Sequence, residues 1–173
     1  RWGAVLPDQP GVSIGCDNFN GGQVAAEHLI GLGRRRIAFL GDASSHYPEF
    51  LERYRGCESV LREIGIAFEA GLQVDAESAE EAGEAACHEL VRRGIPFDAV
   101  FAASDLIALG AIRALAEPGL RVPEDVAIVG LNGIPPVRFA NPPLAQHPPD
   151  TTRAGEPRGR TWEKLWTWEP RRR

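Results

Sequence analysis

Short apolar runs alternate with longer amphipathic stretches along the chain, up to about residue 145. Each apolar run has the length and composition of a strand that is buried on both faces. The runs are residues 36–41, 72–74, 98–103 and 126–130. The stretches with apolar residues at helical spacing are residues 22–32, 49–64, 79–91 and 105–115. Gly33 and Gly65 are placed to end the first two helices. This alternation predicts an α/β fold in which helices flank a parallel sheet.

Polar residues directly after the predicted strands are the first place to look for a binding site. Ligands of open parallel sheets bind at the carboxyl ends of the strands. Ser104 and Asp105 follow the run at 98–103, and Asn132 follows the run at 126–130. We therefore expect these three residues to lie along one edge of the sheet.

The composition indicates a globular protein and excludes some classes of function. The chain has 173 residues, of which 43% are hydrophobic and 25% are charged, as in ordinary globular proteins. No stretch reaches 18 uncharged apolar residues, so no membrane span is expected. Proteins that grip phosphates are usually basic, whereas the net charge here is −5. The chain is therefore not expected to hold DNA by itself.

Residues with obvious catalytic or metal-binding chemistry are few. Cys16, Cys57 and Cys87 are far apart and odd in number, which is typical of small buried thiols in a reducing compartment. The four histidines have no metal-ligand spacing. The sequence has no phosphate loop, nucleophile elbow or dinucleotide-binding motif, and Gly21 and Gly22 are interpreted as helix-start glycines. We predict that the protein is not an enzyme and uses no metal or cofactor.

The last part of the chain has a different composition. Seven of the fourteen prolines lie in residues 135–157, where they oppose regular strands and helices. Residues 151–173 hold seven basic residues, three acidic residues and three of the four tryptophans. This pattern favours a disordered basic tail, with a contact segment or an out-of-frame terminus as alternatives. Because the chain lacks Met and opens at Arg1, we expect it to be a piece of a longer protein.

Four phrases occur in a fixed order along the chain. They are AEHLIGLGRRRIAFLG at 26–41, ERYRG at 52–56, ASD followed by ALG within 103–110, and RVPEDVAIVG at 121–130. Together, over residues 12–144, they make the chain similar to bacterial repressors of the lactose-repressor (LacI/GalR) family. This resemblance implies the effector-sensing region of a transcriptional regulator. Its fold would be of the type I periplasmic-binding-protein kind, with two lobes.

The resemblance also implies a domain organisation. Residues 1–33 would end a first lobe, residues 34–145 would form a second lobe, and residues 146–173 would be a divergent tail. Residues 145–149 replace the strand with which family members cross back to the first lobe, so no strand is expected there. In the family, a helix-turn-helix domain precedes the sensor and reads operator DNA as a dimer. None of that domain is present here.

Arg53, three residues before Gly56, stands where the family places an arginine that grips the effector. A guanidinium suits this role because its donors fork onto two hydroxyls or a carboxylate and it keeps its charge. The alternative is a surface arginine that pairs with Glu49 or Glu52 on the same helix.

The resemblance implies four further effector contacts. Ser104 and Asp105 would face the cleft between the lobes, although a helix N-cap and a first-turn acid are the structural alternatives. Asn132 stands where the family commonly has an aspartate that accepts from sugar hydroxyls, and it supplies an amide without charge. Asn20 would contact the effector from the first lobe, with an N-cap as its alternative.

The segment around Ser78 lacks the aromatic ring with which relatives stack on a sugar or base. Phe19 and Tyr47 are possible substitutes, although single aromatic residues more often belong to a core.

The leading hypothesis is the sensor of a cytoplasmic, dimeric regulator whose effector is a small molecule, expected to be a sugar or related metabolite. An extracytoplasmic sugar-binding protein of a transporter would share the fold, and an inactive truncated product is the third alternative. The cysteine usage and the phrase at 121–130 favour the regulator.

Overall fold

The computed structural model describes residues 16–132 and the backbone of residues 145–147. It has four helices in these residues: α1 (Asn18–Gly31), α2 (Pro48–Glu63), α3 (Glu80–Arg92) and α4 (Asp105–Ala116). The strands are β1 (Ile37–Leu40), β2 (Gln73–Val74), β3 (Ala99–Ala102), β4 (Ala127–Leu131) and β5 (Ala145–His147). A short 3-10 turn, Ala70–Leu72, leads into β2. The predicted α/β fold is confirmed.

The sheet is entirely parallel, with the strand order β2-β1-β3-β4-β5. In register, Phe39 is opposite Phe101, and Phe101 is opposite Val129. Every residue of β1, β3 and β4 is buried, because helices cover both faces of the sheet. This explains why the strand sequences are apolar runs without alternation.

An aromatic cluster fixes the centre of the core. The Phe39 ring meets the rings of Phe101 and Tyr54 edge to face, with both centroid distances at 5.3 Å. Tyr54 meets Phe68 in the same way, at 5.0 Å. Edge-to-face pairs add directional attraction to the burial of apolar area, so this cluster sets how α2 lies on the sheet.

The strand β5 differs from the sequence prediction. Residues 145–149 were expected to replace a family strand, whereas residues 145–147 pair in parallel with β4, with Ala145 opposite Val129. Two prolines, Pro148 and Pro149, follow directly and remove two backbone donors, consistent with a strand of only three residues. The tail predicted beyond this point lies outside the described residues.

Helix α1 and helix α2 approach each other through glycines. A Cβ added at Gly22 would lie 2.0 Å from the Arg53 carbonyl oxygen, and one at Gly56 would lie 2.0 Å from the Phe19 carbonyl oxygen. Gly22 is therefore more than the helix-start glycine of the sequence interpretation, because it lets two backbones touch. Gly83 and Gly110 make the same kind of contact between α3 and α4.

Helix α1 lies before the lobe boundary that the family resemblance implies after residue 33. This helix packs against α2 and contacts β4, so it forms one packed unit with the sheet. It begins at Asn18, earlier than predicted, because the Asp17 carboxylate caps it by accepting the Asn20 N–H at 3.0 Å.

Among the residues that the structure describes, no helix combines the length and the apolar character that a membrane span requires.

Replacing Gly22 by alanine should lower the free energy of unfolding by about 1–3 kcal/mol, because the added methyl overlaps backbone that cannot retract freely. Gly31→Ala makes the same change on the same helix, where nothing lies within 4 Å. That control should match the parent chain or gain up to about 1 kcal/mol. Urea unfolding followed by circular dichroism measures both, and equal stabilities would contradict the contact.

The loop before β4 is held by charged groups. The Arg121 guanidinium donates to both Asp125 carboxylate oxygens at 2.7 and 2.8 Å. Hydrogen bonds from the Arg121 side chain and backbone hold the pKa of Asp125 well below its usual range, at about 2. Arg34 donates to the carbonyl oxygen of Pro123 at 2.6 Å, which ties the loop to the end of α1.

Stability should therefore fall in acid partly through Asp125. Its folded pKa of about 2 lies below the ordinary value of 3.8, so its contribution is present above pH 3.8 and is lost as the pH falls toward 2. Asp125→Asn should melt at a lower temperature near neutral pH and lose less of its Tm on acidification. Glu124→Gln is the neighbouring control and should keep the acid sensitivity of the parent. Identical acid profiles for Asp125→Asn and the parent would refute this role.

Candidate functional site

Arg53 joins four elements at the carboxyl edge of the sheet. Its Nε donates to Asn18 Oδ1 at 2.9 Å, at the start of α1. One terminal nitrogen donates to the Ala103 carbonyl oxygen after β3, and the other donates to Asn132 Oδ1 after β4 at 3.2 Å. The guanidinium thus links both helices of one layer to the ends of two neighbouring strands.

The environment of Arg53 is that of a buried charge. The residue is only 8% exposed, so the alternative of a surface arginine is wrong, and Glu52 instead pairs with Arg55 at 2.9 Å. Burial lowers the pKa of Arg53, while the nearby groups of Cys16, Glu49 and Asp105 act in the opposite direction. Arginine keeps its proton in proteins, so the site holds a fixed positive charge.

Ser104 and Asp105 lie beside this charge, at the junction of β3 and α4. Both residues are buried. Ser104 is the N-cap of α4, because its Oγ accepts the Ile107 N–H at 3.4 Å, and it also accepts a hydrogen bond from Ser78 Oγ at 2.9 Å. The capping alternative is therefore confirmed for Ser104. Asp105 occupies the first turn of α4, where a carboxylate complements the helix dipole.

Asn132 has an unusual backbone. Its φ is +147°, a value that residues other than glycine rarely adopt. Strained residues of this kind persist where surrounding interactions hold them, often at functional sites. Here the hydrogen bond from Arg53 to its side chain is one such interaction.

The start of α1 supplies one residue that sequence reasoning missed. Asn18 is buried, accepts from Arg53 and donates from Nδ2 to the Cys16 carbonyl oxygen at 3.2 Å. Asn20 is exposed, and its N-cap alternative is wrong because Asp17 is the cap. Asn18 lies in the polar stretch at the start of α1, but its pairing with a residue 35 positions away has no local signature in the sequence.

Two aromatic rings extend the site from Arg53 along α2. The Arg53 guanidinium carbon lies 5.7 Å from the centre of the Phe50 ring. Phe50 stacks on Tyr47 with centroids 5.8 Å apart and an interplanar angle of 21°. Tyr47, one of the two substitutes named from the sequence, therefore adjoins the charged centre. Phe19, the other, is 36% exposed on α1.

The described cysteines are free thiols. Cys57 and Cys87 are buried, and burial raises the pKa of each thiol to about 12, so both stay protonated and unreactive near neutral pH. The burial predicted for these two residues is confirmed, whereas Cys16 is partly exposed. Within residues 16–132, no three His, Cys, Asp or Glu side chains are grouped as a metal site requires.

The carboxyl edge of this parallel sheet carries a buried arginine and two amide side chains, and this is the edge at which open α/β sheets bind small molecules. Residues 26–165 match the family model described as a periplasmic binding protein-like domain. The match spans most of the chain, so the chain belongs to this family.

The curated relatives are transcriptional regulators of the LacI type. The HTH-type transcriptional regulator CelR of Thermobifida fusca is 37% identical over 139 residues, which are 80% of this chain and 41% of CelR. The HTH-type transcriptional repressor PurR of Mannheimia succiniciproducens is 32% identical over 156 residues, which are 90% of this chain and 46% of PurR. The chain thus spans less than half the length of either relative.

The solved structure of the CelR–cellobiose complex has the same fold. It superposes with a TM-score of 0.79 and 36% identity, covering 84% of this chain and 44% of CelR. The resemblance to LacI-type regulators is thereby confirmed, and the expectation of a protein other than an enzyme agrees with these relatives.

The strain at Asn132 gives a prediction about stability. Glycine adopts positive φ without steric cost, so Asn132→Gly should be more stable than Asn132→Ala by about 1 kcal/mol or more. Both variants lose the hydrogen bond from Arg53, so their difference isolates the backbone contribution. Urea unfolding of the two variants measures it, and an alanine variant as stable as the glycine variant would disprove the strain.

Proposed function

We propose that this chain is the effector-binding region of a LacI-type transcriptional regulator and that its effector is a small polyhydroxylated molecule of the carbohydrate class. The observation that carries the proposal is the buried Arg53, held between Asn18, Ala103 and Asn132 at the carboxyl edge of the sheet. We assign effector contacts to Arg53, Ser104, Asp105, Asn132 and Asn20.

The chemistry of the site suits hydroxyl groups. A guanidinium has five N–H donors, and three of them bind partners among the described residues. The others suit sugar oxygens, and an amide such as that of Asn132 both donates and accepts, as a hydroxyl does. Because the partners of Arg53 already fix its orientation, a ligand does not have to order a long flexible side chain.

Regulation follows from linkage between two sites. An effector that binds one arrangement of the lobes better than another shifts the protein toward that arrangement. The same free energy changes the affinity of attached helix-turn-helix domains for operator DNA. For the whole protein we propose a cytoplasmic homodimer that binds a two-fold operator. The regulator relatives favour this assignment over a transport receptor.

Cellobiose is the sugar with which to test the proposal, because it is the ligand named for the CelR complex. Titration calorimetry should detect its binding to this chain. Arg53→Ala should weaken binding by about tenfold or more, which corresponds to the loss of a charged hydrogen bond of about 1.5 kcal/mol. Arg55→Ala, on the same helix and paired with Glu52, should bind as the parent does.

Circular dichroism and melting of each variant separate folding from binding. Undiminished affinity in a folded Arg53→Ala variant would remove Arg53 from the site. A parent chain that shows no sugar binding would contradict the carbohydrate assignment itself.

A further inference from the structure

The side chain of Asn18 contacts both Arg53 and the chain that enters α1. Its Oδ1 accepts the Arg53 Nε–H at 2.9 Å, and its Nδ2 donates to the Cys16 carbonyl oxygen at 3.2 Å. The residue is buried, as Arg53 is. Both polar atoms of the Asn18 side chain therefore bind within the protein, which separates it from the residues assigned to effector contacts.

The nitrogen that Asn18 binds controls the direction of the guanidinium. Nε joins the planar guanidinium to the flexible stem of the side chain and carries a single hydrogen. Asn18 accepts that hydrogen, so the plane is held from its stem end. The terminal nitrogens, which donate to Ala103 and Asn132, carry the remaining N–H groups and keep donors for a ligand.

Helix α2 itself offers Arg53 a competing acceptor. Glu49 lies four residues before Arg53 on α2, at the spacing where acidic and basic side chains meet on a helix surface. An Arg53 side chain turned toward Glu49 would lie along its own helix, away from the strand ends that carry Ala103 and Asn132. Asn18, on a different helix, holds the guanidinium at the strand ends instead.

The position of Asn18 is in turn fixed by the backbone. It is the first residue of α1, directly after the Asp17 cap. A Cβ added at Gly56 would lie 2.0 Å from the carbonyl oxygen of Phe19, the next residue, so the backbone of α2 touches α1 at this point. The Asn18 amide is thus carried by a helix start that cannot shift relative to α2 without breaking this contact.

We infer that Asn18 is a positioning residue for effector binding, which holds the Arg53 guanidinium at the strand ends and acts on the ligand only through Arg53. The inference rests on the proposed function and deepens it, because it adds to the site a residue that does not contact the effector. The alternative is that Asn18 only ties the start of α1 to Cys16. The two roles depend on different atoms of the amide, Oδ1 for Arg53 and Nδ2 for Cys16.

The first test needs no ligand. In a proton–nitrogen NMR spectrum, the Arg53 Nε–H gives its own signal, which Arg53→Ala identifies by removing it. Asn18→Ala should speed the exchange of this hydrogen with water about tenfold or more, because the hydrogen loses its buried acceptor. Asn18→Asp keeps an oxygen for Nε but lacks the donor to Cys16, and its exchange rate should stay within about threefold of the parent.

The second test is a double-mutant cycle on cellobiose binding, measured by calorimetry. Asn18→Ala should weaken binding about fivefold or more in the parent, because a displaced guanidinium loses contacts with the sugar. In the Arg53→Ala background the same change should weaken binding less than about twofold, since Asn18 then has no guanidinium to orient. Asn18→Asp should bind cellobiose within about threefold of the parent.

Gln23→Ala is the matched control. Gln23 is another amide on α1, and its Nε2 donates to Ser59 Oγ on α2 at 3.4 Å, so it links the same two helices without Arg53. This variant should match the parent in both the exchange rate of the Arg53 Nε–H and the affinity for cellobiose. Circular dichroism of each variant verifies that it is folded.

Three results would each overturn the inference: equal losses of affinity in both backgrounds, an unchanged exchange rate in Asn18→Ala, or an Asn18→Asp variant as impaired as Asn18→Ala. If Asn18→Ala does not fold, Asn18→Asp decides. Slow exchange with retained affinity then supports the inference, and the loss of either one overturns it.

The results also separate the inference from the proposed function. If the parent binds cellobiose and the cycle shows no coupling, Asn18 is not a positioning residue and the effector site stands. If the parent does not bind cellobiose, the carbohydrate assignment is refuted, and the exchange rates alone decide whether Asn18 orients Arg53.

Discussion

The close approach of α1 and α2 is the constraint on which the rest of the site depends. Gly22 and Gly56 bring the two helix backbones into contact, and the atom that Gly22 faces is the carbonyl oxygen of Arg53. Side chains larger than hydrogen at these positions would push the helices apart. The same contact sets the start of α1 beside α2, where Asn18 receives the hydrogen bond from Arg53 Nε. Backbone packing, rather than the side chains of the site, therefore sets the distance between two of its members.

A buried arginine requires partners because removal of a charge from water is costly. Arg53 meets this requirement with a carbonyl oxygen, two amide oxygens and the nearby charges of Glu49 and Asp105. The partners come from α1, β3 and β4, so the charge also ties the helical layer to the carboxyl edge of the sheet. The unusual φ of Asn132 is consistent with this arrangement, because the hydrogen bond from Arg53 helps to hold Asn132 in a backbone conformation that asparagine rarely adopts.

Sequence reasoning found what local physics controls. The apolar runs and glycine stops predicted β1, β3, β4 and the four helices, because strands buried on both faces leave a continuous apolar signal. Arg53 was singled out through family resemblance, and its burial was not visible in a helix that also carries Glu49 and Glu52. Asn18 was missed because its pairing depends on how two helices pack. The three-residue β5 was missed because prolines dominate its surroundings, whereas its pairing with β4 is a long-range contact.

The balance of charge around Arg53 bears on the kind of effector that the site favours. Glu49 and Asp105 already act on the guanidinium, so an anionic ligand would meet a positive charge that the protein itself has partly neutralised. A hydroxyl group does not face this obstacle, because it carries no charge and can accept from the guanidinium. A neutral polyol therefore fits the electrostatics around Arg53 better than an anion does.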